Sequence, residues 1–187
     1  MRYVWILVVL SLLTIPVQAQ EGRAVWLNVG NYPGSPEELD ELVRELSAAN
    51  FNMIFPQVFY HGQTIYPSQV AQDYGVISQN PQFAHWDPLA VLITAGQKYG
   101  VEIHPWMDLL YVGYRSPGVI LEQYPHWALL DGNGQMGHGQ RGMERYWLSP
   151  GFGQVRNYLG SLVEELVTNY SVQGIHLDYI RYPDPKE

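Results

Sequence analysis

The chain alternates between two hydrophobic patterns, and this alternation most constrains its fold. Short apolar stretches predict four strands, and longer segments with helical spacing of apolar residues predict helices between them. The strands are expected at residues 23–29, 52–59, 101–106 and 172–180. The helices are expected to start where a capping side chain precedes proline, at Ser35-Pro36, Asp87-Pro88 and Ser149-Pro150. Alternating strands and helices with continuously apolar strands favour a parallel sheet covered by helices.

The connections between these elements are of unequal length. Those from helix to strand are short, whereas residues 60–86 and 107–147 form long excursions after the second and third strands, the later one with a short helix near residues 118–124. Long strand-to-helix connections on one rim are typical of a TIM barrel, which needs about 250 residues when complete. We therefore predict an α/β fold, the N-terminal half of a TIM (β/α)8 barrel, truncated after its fourth strand.

The N-terminus has the composition of a secretory signal. Arg2 precedes an apolar run at residues 4–15, which is shorter than the about 20 residues of a membrane span. Val17-Gln18-Ala19 suits a signal peptidase. We predict a signal peptide at residues 1–19, a domain at 20–187, a periplasmic or secreted location, and no stable membrane span after cleavage. An uncleaved anchor is the alternative.

Composition narrows the classes of partner. The chain has no cysteine, which removes disulfides and thiolate metal sites, and a formal net charge of −8, which argues against nucleic acid. Charged residues make up only 15% of the chain, whereas six Trp and fourteen Tyr help to bring aromatic residues to 13%. This aromatic content suits a surface that stacks on sugars, with ordinary core packing as the alternative.

The fourth strand carries the strongest catalytic candidate. Side chains alternate along a strand, so His176, Asp178 and Ile180 are expected on one face. An acid at the carboxyl end of a barrel strand lies where such enzymes place their chemistry. Asp178 could attack an anomeric carbon, stabilise its developing charge, or act as a protonated acid. The alternative is a carboxylate that only makes structural hydrogen bonds, with Arg181 near enough to pair with it if the chain folds back.

Further polar and aromatic residues at strand ends and in loops suit the binding of a sugar ring. If the third strand stays extended, His104, Trp106 and Asp108 share a face, where the indole would stack on the ring and the carboxylate would take a hydroxyl. Each of these side chains could instead be structural. The predicted substrate-binding residues are Asn28, Gln57, Tyr66, His104, Trp106, Asp108, His176 and Arg181.

A metal site is the main alternative chemistry at these strand ends. His104, Asp108, His176 and Asp178 could converge on zinc or manganese if the third and fourth strands are neighbours. No His-Glu-x-x-His helix, Gly-x-Gly-x-x-Gly loop or Gly-x-Ser-x-Gly elbow occurs in the sequence. We therefore predict no metal and no cofactor, and keep a metal-dependent carbohydrate deacetylase as an alternative.

Several segments in order resemble one family. They are residues 23–27 (RAVWL), 50–58 (NFNMIFPQV), 66–68 (YPS), 87–89 (DPL), 104–106 (HPW), 147–150 (WLSP) and 174–179 (GIHLDY). Together they are similar to the glycosyl hydrolase-like 10 domain of bacterial envelope proteins, over residues 22–185. The resemblance implies an exported TIM-barrel glycosidase that hydrolyses O-glycosidic bonds of a cell-wall or related polysaccharide, such as the glycan strands of peptidoglycan. It also implies a catalytic aspartate at the end of the fourth strand, which is Asp178.

Two departures from this resemblance bear on function. Family members often have Asn where this chain has Ser149, and the second half of the domain, where a partner acid is expected, is absent from the sequence. Glycoside hydrolysis normally uses two carboxyl groups. The chain is thus expected to be an enzyme in its intact form, with an inactive fragment or a non-catalytic carbohydrate-binding protein as the alternatives.

Overall fold

The computed structural model describes residues 21–184, so the predicted signal peptide at 1–19 lies outside the described residues. Strands and helices alternate along this part of the chain. The strands are β1 (Ala24–Leu27), β2 (Met53–Tyr60), β3 (Gln63–Thr64), β4 (Glu102–Ile103), β5 (Trp106–Asp108), β6 (Tyr111–Tyr114), β7 (Gly137–His138), β8 (Arg145–Trp147) and β9 (His176–Asp178). The helices are α1 (Pro36–Ala48), α2 (Gln69–Asp73), α3 (Pro88–Tyr99), α4 (Gly118–Gln123) and α5 (Gly153–Asn169).

The main sheet is parallel, as the alternation predicts. Its order is β1-β2-β5-β9, and β4 also pairs with β2 as the first part of the third predicted strand. Trp106, Met107 and Asp108 of β5 lie opposite His176, Leu177 and Asp178 of β9. The fold class is therefore α/β, with four parallel strand positions whose carboxyl ends share one edge.

The prediction of an unbroken third strand at residues 101–106 is wrong. The strand is interrupted at His104-Pro105 and resumes as β5, because proline has no N–H to donate to a neighbouring strand. The Pro105 carbonyl still accepts a hydrogen bond from the His176 backbone N–H at 2.8 Å, which brings β9 alongside. The fourth strand is likewise shorter than predicted and covers only His176–Asp178.

Two of the three predicted helix starts are confirmed. The Ser35 hydroxyl accepts a hydrogen bond from the Glu38 backbone N–H at 3.2 Å, with Pro36 in the first turn of α1. The Glu38 carboxylate accepts a hydrogen bond from the Gly34 N–H and accepts none from the Ser35 N–H. Asp87 caps α3 in the same way, and Gly100 ends it in the left-handed conformation, with φ of 71°.

The third predicted start, at Ser149-Pro150, is wrong. Helix α5 begins at Gly153, and its N-cap residue Phe152 makes no side-chain capping bond. The chain first forms a turn in which the Phe152 N–H donates to the Ser149 carbonyl at 3.3 Å. The Arg156 guanidinium then donates to the Pro150 and Gly151 carbonyls, and these contacts hold the turn in place of a capping side chain.

Helices α1 and α3 pack on the apolar face of the sheet, whereas the opposite face carries rings. On the apolar face, Ile54 and Ile103 are buried. On the other face, Trp26 stacks on Phe55 with ring centroids 5.0 Å apart and meets the His176 ring edge-on at 6.1 Å. Trp26 and His176 belong to the first and last strands of the order, so their contact shows that the sheet is strongly curved.

The second long excursion contains an antiparallel sheet that the sequence pattern did not predict. Its strand order is β6-β8-β7, and Tyr111 lies opposite Trp147. The predicted short helix is present as α4. The first excursion holds β3, which forms a hairpin with β2, and the short helix α2. Both excursions therefore have regular structure of their own and lie beside the carboxyl ends of the sheet.

Candidate active site

A cleft of about 750 Å³ opens at the carboxyl ends of the parallel strands. Strands β1, β2 and β5 provide its floor, and the hairpin after β2 and the antiparallel sheet provide its walls. The lining side chains used below are Asn28, Gln57, Tyr60, His61, Trp106, Asp108, Tyr111, Arg145 and Tyr179. The surface is thus rich in aromatic and amide groups, as sugar sites require.

Gln57 connects two strand ends beneath the cleft. Its Oε1 accepts a hydrogen bond from the Val29 backbone N–H at 3.0 Å, and its Nε2 donates to Asp108 Oδ2 at 3.0 Å. The backbone contact fixes the direction of the amide, because only a carbonyl oxygen can accept from Val29. Asp108 is 2% exposed, and its Oδ1 atom is buried without a hydrogen-bond partner within residues 21–184.

Asp178 lies directly opposite Asp108 in the register of β5 and β9. Its Oδ2 accepts from Trp106 Nε1 at 3.2 Å, and its Oδ1 accepts from the Tyr179 backbone N–H at 2.7 Å. The half-buried side chain stands at the edge of the cleft, behind Trp106, and is not itself among the groups that line it. Two carboxyl groups therefore end neighbouring strands, one beneath the cleft and one beside it.

The electrostatics of the two acids are coupled. Burial, and next the negative charge of Asp178, raise the pKa of Asp108 to about 7, against the lowering effect of the Gln57 hydrogen bond and of the nearby Trp106 indole N–H. A carboxyl group with a pKa near neutrality holds a proton in much of the physiological range. Pairs of acids with separated proton affinities are a common feature of catalytic sites, although structural networks produce them too.

One wall of the cleft is aromatic, and its rings are uncharged. His61 stacks on Tyr60 with centroids 3.8 Å apart and meets Tyr111 edge-on at 5.2 Å. Burial lowers the pKa of His61, so the imidazole is neutral at physiological pH. Burial also raises the pKa of Tyr60, and it raises that of Tyr111 to about 12. Arg145 supplies positive charge to this wall.

Four of the predicted site residues line this cleft: Asn28, Gln57, Trp106 and Asp108. The sequence predicted that the Asp108 carboxylate would bind a sugar hydroxyl, but its side chain is buried at the floor of the cleft. Asp178, the predicted catalytic residue, is held against Trp106 at the cleft edge.

The other predicted site residues lie outside this cleft, and for the buried Tyr66 the expected sugar contact is wrong. Tyr66 is completely buried and packs edge-on against Tyr170, because its loop folds back into the core. His104 and His176 lie on the ring-bearing face below the cleft, where both contact Phe55. Arg181 is exposed outside the cleft, with its guanidinium 5.3 Å from the Trp147 ring.

The sequence pattern missed Tyr60, Tyr111, Arg145 and Tyr179 as lining residues. Strand alternation put Tyr179 on the face opposite Asp178, but Tyr179 has φ of 50°, in the left-handed region, which turns its ring toward the cleft. Position at the end of β2 was a signal for Tyr60. Nothing local indicated Tyr111 or Arg145, which are brought in by the antiparallel sheet.

The structure of the described residues gives no support to the alternative of a metal site. Within the described residues, no group of three or more His, Asp or Glu side chains lies close enough to hold a metal ion. Of the groups that the sequence suggested could converge, His104 instead bonds Glu102 at 2.9 Å, and Asp108 bonds Gln57.

Comparison with known proteins identifies the family. The family described as glycosyl hydrolase-like 10 matches residues 1–186. The chain belongs to the glycosyl hydrolase-like 10 family. Among curated members of similar sequence, glycosyl hydrolase DigH of Escherichia coli strain K12 is 27% identical over 167 residues, covering 79% of this chain and 34% of DigH. Glycosyl hydrolase YngK of Bacillus subtilis strain 168 is 24% identical over 197 residues, covering 98% of this chain and 33% of YngK.

Solved structures place this glycosyl hydrolase-like 10 chain in the TIM-barrel fold. An α-galactosidase from Thermus thermophilus superposes with a TM-score of 0.57 at 18% identity, over 84% of this chain and 30% of that one. An exo-β-N-acetylglucosaminidase from Vibrio harveyi superposes with a TM-score of 0.61 at 13% identity, over 88% of this chain and 28% of that enzyme. The described fold is therefore part of a barrel, and the chain spans about a third of the length of the curated relatives it matches.

Within residues 21–184, no helix is both long enough and apolar enough to cross a bilayer.

Proposed function

We propose that the intact protein is a glycoside hydrolase in which Asp178 acts at the anomeric carbon of the substrate. The observation that carries the proposal is the position of this carboxylate at the carboxyl end of its parallel strand, beside the cleft and opposite Asp108. Membership of the glycosyl hydrolase-like 10 family supports the same chemistry.

The contacts of Asp178 orient its carboxyl group. Its two oxygens each accept one hydrogen bond, from Trp106 Nε1 and from the Tyr179 backbone N–H. In a retaining reaction the carboxylate oxygen would bond to the anomeric carbon as the glycosidic C–O bond breaks, and an acid would protonate the leaving oxygen. Asp108 is not assigned that acid role, because its free oxygen is buried beneath the cleft surface.

The lining of the cleft supports a carbohydrate substrate. Trp106 and the stacked Tyr60–His61 pair offer flat apolar faces, and Asn28 offers an amide for hydroxyl groups. We propose a polysaccharide of the cell wall or a related glycan, such as the glycan strands of peptidoglycan, as the substrate. The apolar run at residues 4–15 and the residues that follow it support export to the periplasm or the medium.

The test is the hydrolysis of soluble glycan fragments by the full-length protein and by Asp178→Asn. We expect kcat/KM to fall by about a thousandfold or more, as for loss of a reacting group. Asp73→Asn, the same change at an exposed carboxylate in α2, is the matched control and should leave kcat/KM unchanged. A wild-type rate in Asp178→Asn would remove the proposed role.

The second candidate is a non-catalytic carbohydrate-binding protein. The aromatic and amide lining of the cleft favours it, because those groups bind sugars without help from Asp178. Glycan affinity in the full-length wild type without detectable turnover would support this candidate over the hydrolase.

A further inference from the structure

Asp108 has an unusual environment for a carboxyl group. It is 2% exposed, and Gln57 Nε2 is its hydrogen-bond donor. The Gln57 amide cannot reverse to change this, because its oxygen is held by the Val29 N–H. The buried Oδ1 has no partner within residues 21–184. A buried, ionised carboxylate in such a position is strongly disfavoured, whereas its neutral form is tolerated.

Asp178 is in the opposite situation. It accepts two N–H donors, one on each oxygen, and is only half-buried. The two residues are partners in the register of β5 and β9, and the negative charge of Asp178 opposes the ionisation of Asp108. Of the two, Asp178 has more hydrogen-bond donors and more contact with solvent.

Among the described residues, the other groups around the pair do not supply a compensating cation to Asp108. Tyr60 and Tyr111 face Asp108 from β2 and β6, and both are neutral phenols because their pKa values are raised. Tyr179, which follows β9 and lines the same cleft, is also a phenol, and the burial-lowered pKa of His61 keeps that ring neutral. The positive charge of Arg145, across the cleft on β8, lowers the pKa of Tyr111 and so partly offsets the effect of burial.

We propose that Asp108 and Asp178 form a carboxylic acid–carboxylate pair in which Asp108 keeps one proton from acidic solution up to neutrality, so that Asp178 carries the single negative charge of the pair. Asp108 is thus a positioning residue that acts through Asp178 and does not give its proton to the substrate. The pKa of about 7 for Asp108 agrees with this arrangement. The catalytic consequence rests on the proposed hydrolase function, whereas the proton distribution does not.

The proton distribution is tested without any substrate. In the full-length protein carrying 13C-labelled aspartate, side-chain carboxyl signals are followed by NMR against pH, and the signal that is absent from Asp108→Asn is assigned to Asp108. We expect a midpoint near 7, which moves down in Asp178→Asn because the neighbouring charge is gone. A midpoint near the ordinary value of 3.8, or one unmoved by Asp178→Asn, would overturn the pair.

The positioning role is tested by the pH dependence of glycan hydrolysis. Asparagine resembles a protonated aspartate in shape and hydrogen bonding but cannot lose a proton. We therefore expect the ratio of kcat in Asp108→Asn to kcat in wild type to rise between pH 6 and pH 8, because Asp108 loses its proton in this range and asparagine has none to lose. The acid that protonates the leaving oxygen affects both proteins and cancels in the ratio. A ratio that stays constant over this range would contradict the role, as would complete inactivity of a folded Asp108→Asn at every pH. If the wild type has no activity, the NMR result still decides on the pair, and only the proposed function fails.

Discussion

The free energy of unfolding of Asp108→Asn should rise relative to that of wild type as the pH increases. The folded protein binds a proton at Asp108 up to pH of about 7, whereas the unfolded chain releases it near the ordinary pKa of 3.8. Between these two values the folded state holds more protons than the unfolded state. The free energy of unfolding of wild type therefore falls as pH rises through this window and levels off above it.

The size of the effect follows from the same two pKa values. At about 1.36 kcal/mol per pKa unit, the separation between 3.8 and about 7 lowers the free energy of unfolding of wild type by up to about 4 kcal/mol above pH 7. At pH 5 the cost is about 1.6 kcal/mol, since the unfolded carboxyl is by then mostly ionised. Wild type should thus lose about 2.5 kcal/mol more than Asp108→Asn between pH 5 and pH 8. The oxygen of the introduced amide can still accept the Gln57 hydrogen bond, so packing should change little.

The assay is urea unfolding of both proteins at pH 5 and pH 8, with the difference taken at each pH. Histidines that titrate in this range contribute equally to both proteins and cancel in that difference. Asp73→Asn, an exposed aspartate outside the cleft, is the control and should show the same pH dependence as wild type. Parallel curves for wild type and Asp108→Asn would show that Asp108 is ionised in the folded protein, and the reasoning would be refuted.

Three further substitutions test how the fold supports the site. Glu165→Ala should lower the free energy of unfolding by about 3 kcal/mol in a urea titration, because this buried carboxylate accepts three hydrogen bonds at the start of α2, and retained stability would contradict this. Gly174→Ala should lower the free energy of unfolding by about 1–3 kcal/mol in the same assay, because the new Cβ would lie 2.5 Å from His104 Nδ1. The control is Gly160→Ala, whose Cβ would meet nothing within 4 Å, and it should not lower the free energy of unfolding. Asp87→Ala should lower the melting temperature through a loss of about 1–2 kcal/mol from the α3 cap, and an unchanged value would argue against the cap.

The sequence predicted the order of strands and helices and the edge where the acids meet, because those features follow from local periodicity. It did not predict that Asp108 lies opposite Asp178. That register depends on the interruption at His104-Pro105, after which β5 restarts and pairs with β9. A proline signals a break in a strand, but where the pairing resumes is decided by contacts between distant segments.

Site residues supplied by tertiary structure were beyond the reach of the sequence pattern. Tyr111 and Arg145 meet only because strands distant in the sequence pair in the antiparallel sheet. Tyr66 looked like an exposed loop residue, yet its ring packs against Tyr170 inside the core. Burial of a loop aromatic depends on which surface the loop reaches, and its local sequence does not encode that choice.

The left-handed backbone at Tyr179 has one more consequence. A non-glycine residue in that region carries a local strain of about 1 kcal/mol or more, and here the strain turns the Tyr179 N–H back onto Asp178 Oδ1 at 2.7 Å. The direction of the acid is therefore set by the peptide unit that follows it. Insertions or exchanges in the surrounding excursions can therefore reshape the cleft while the direction of this carboxylate stays the same.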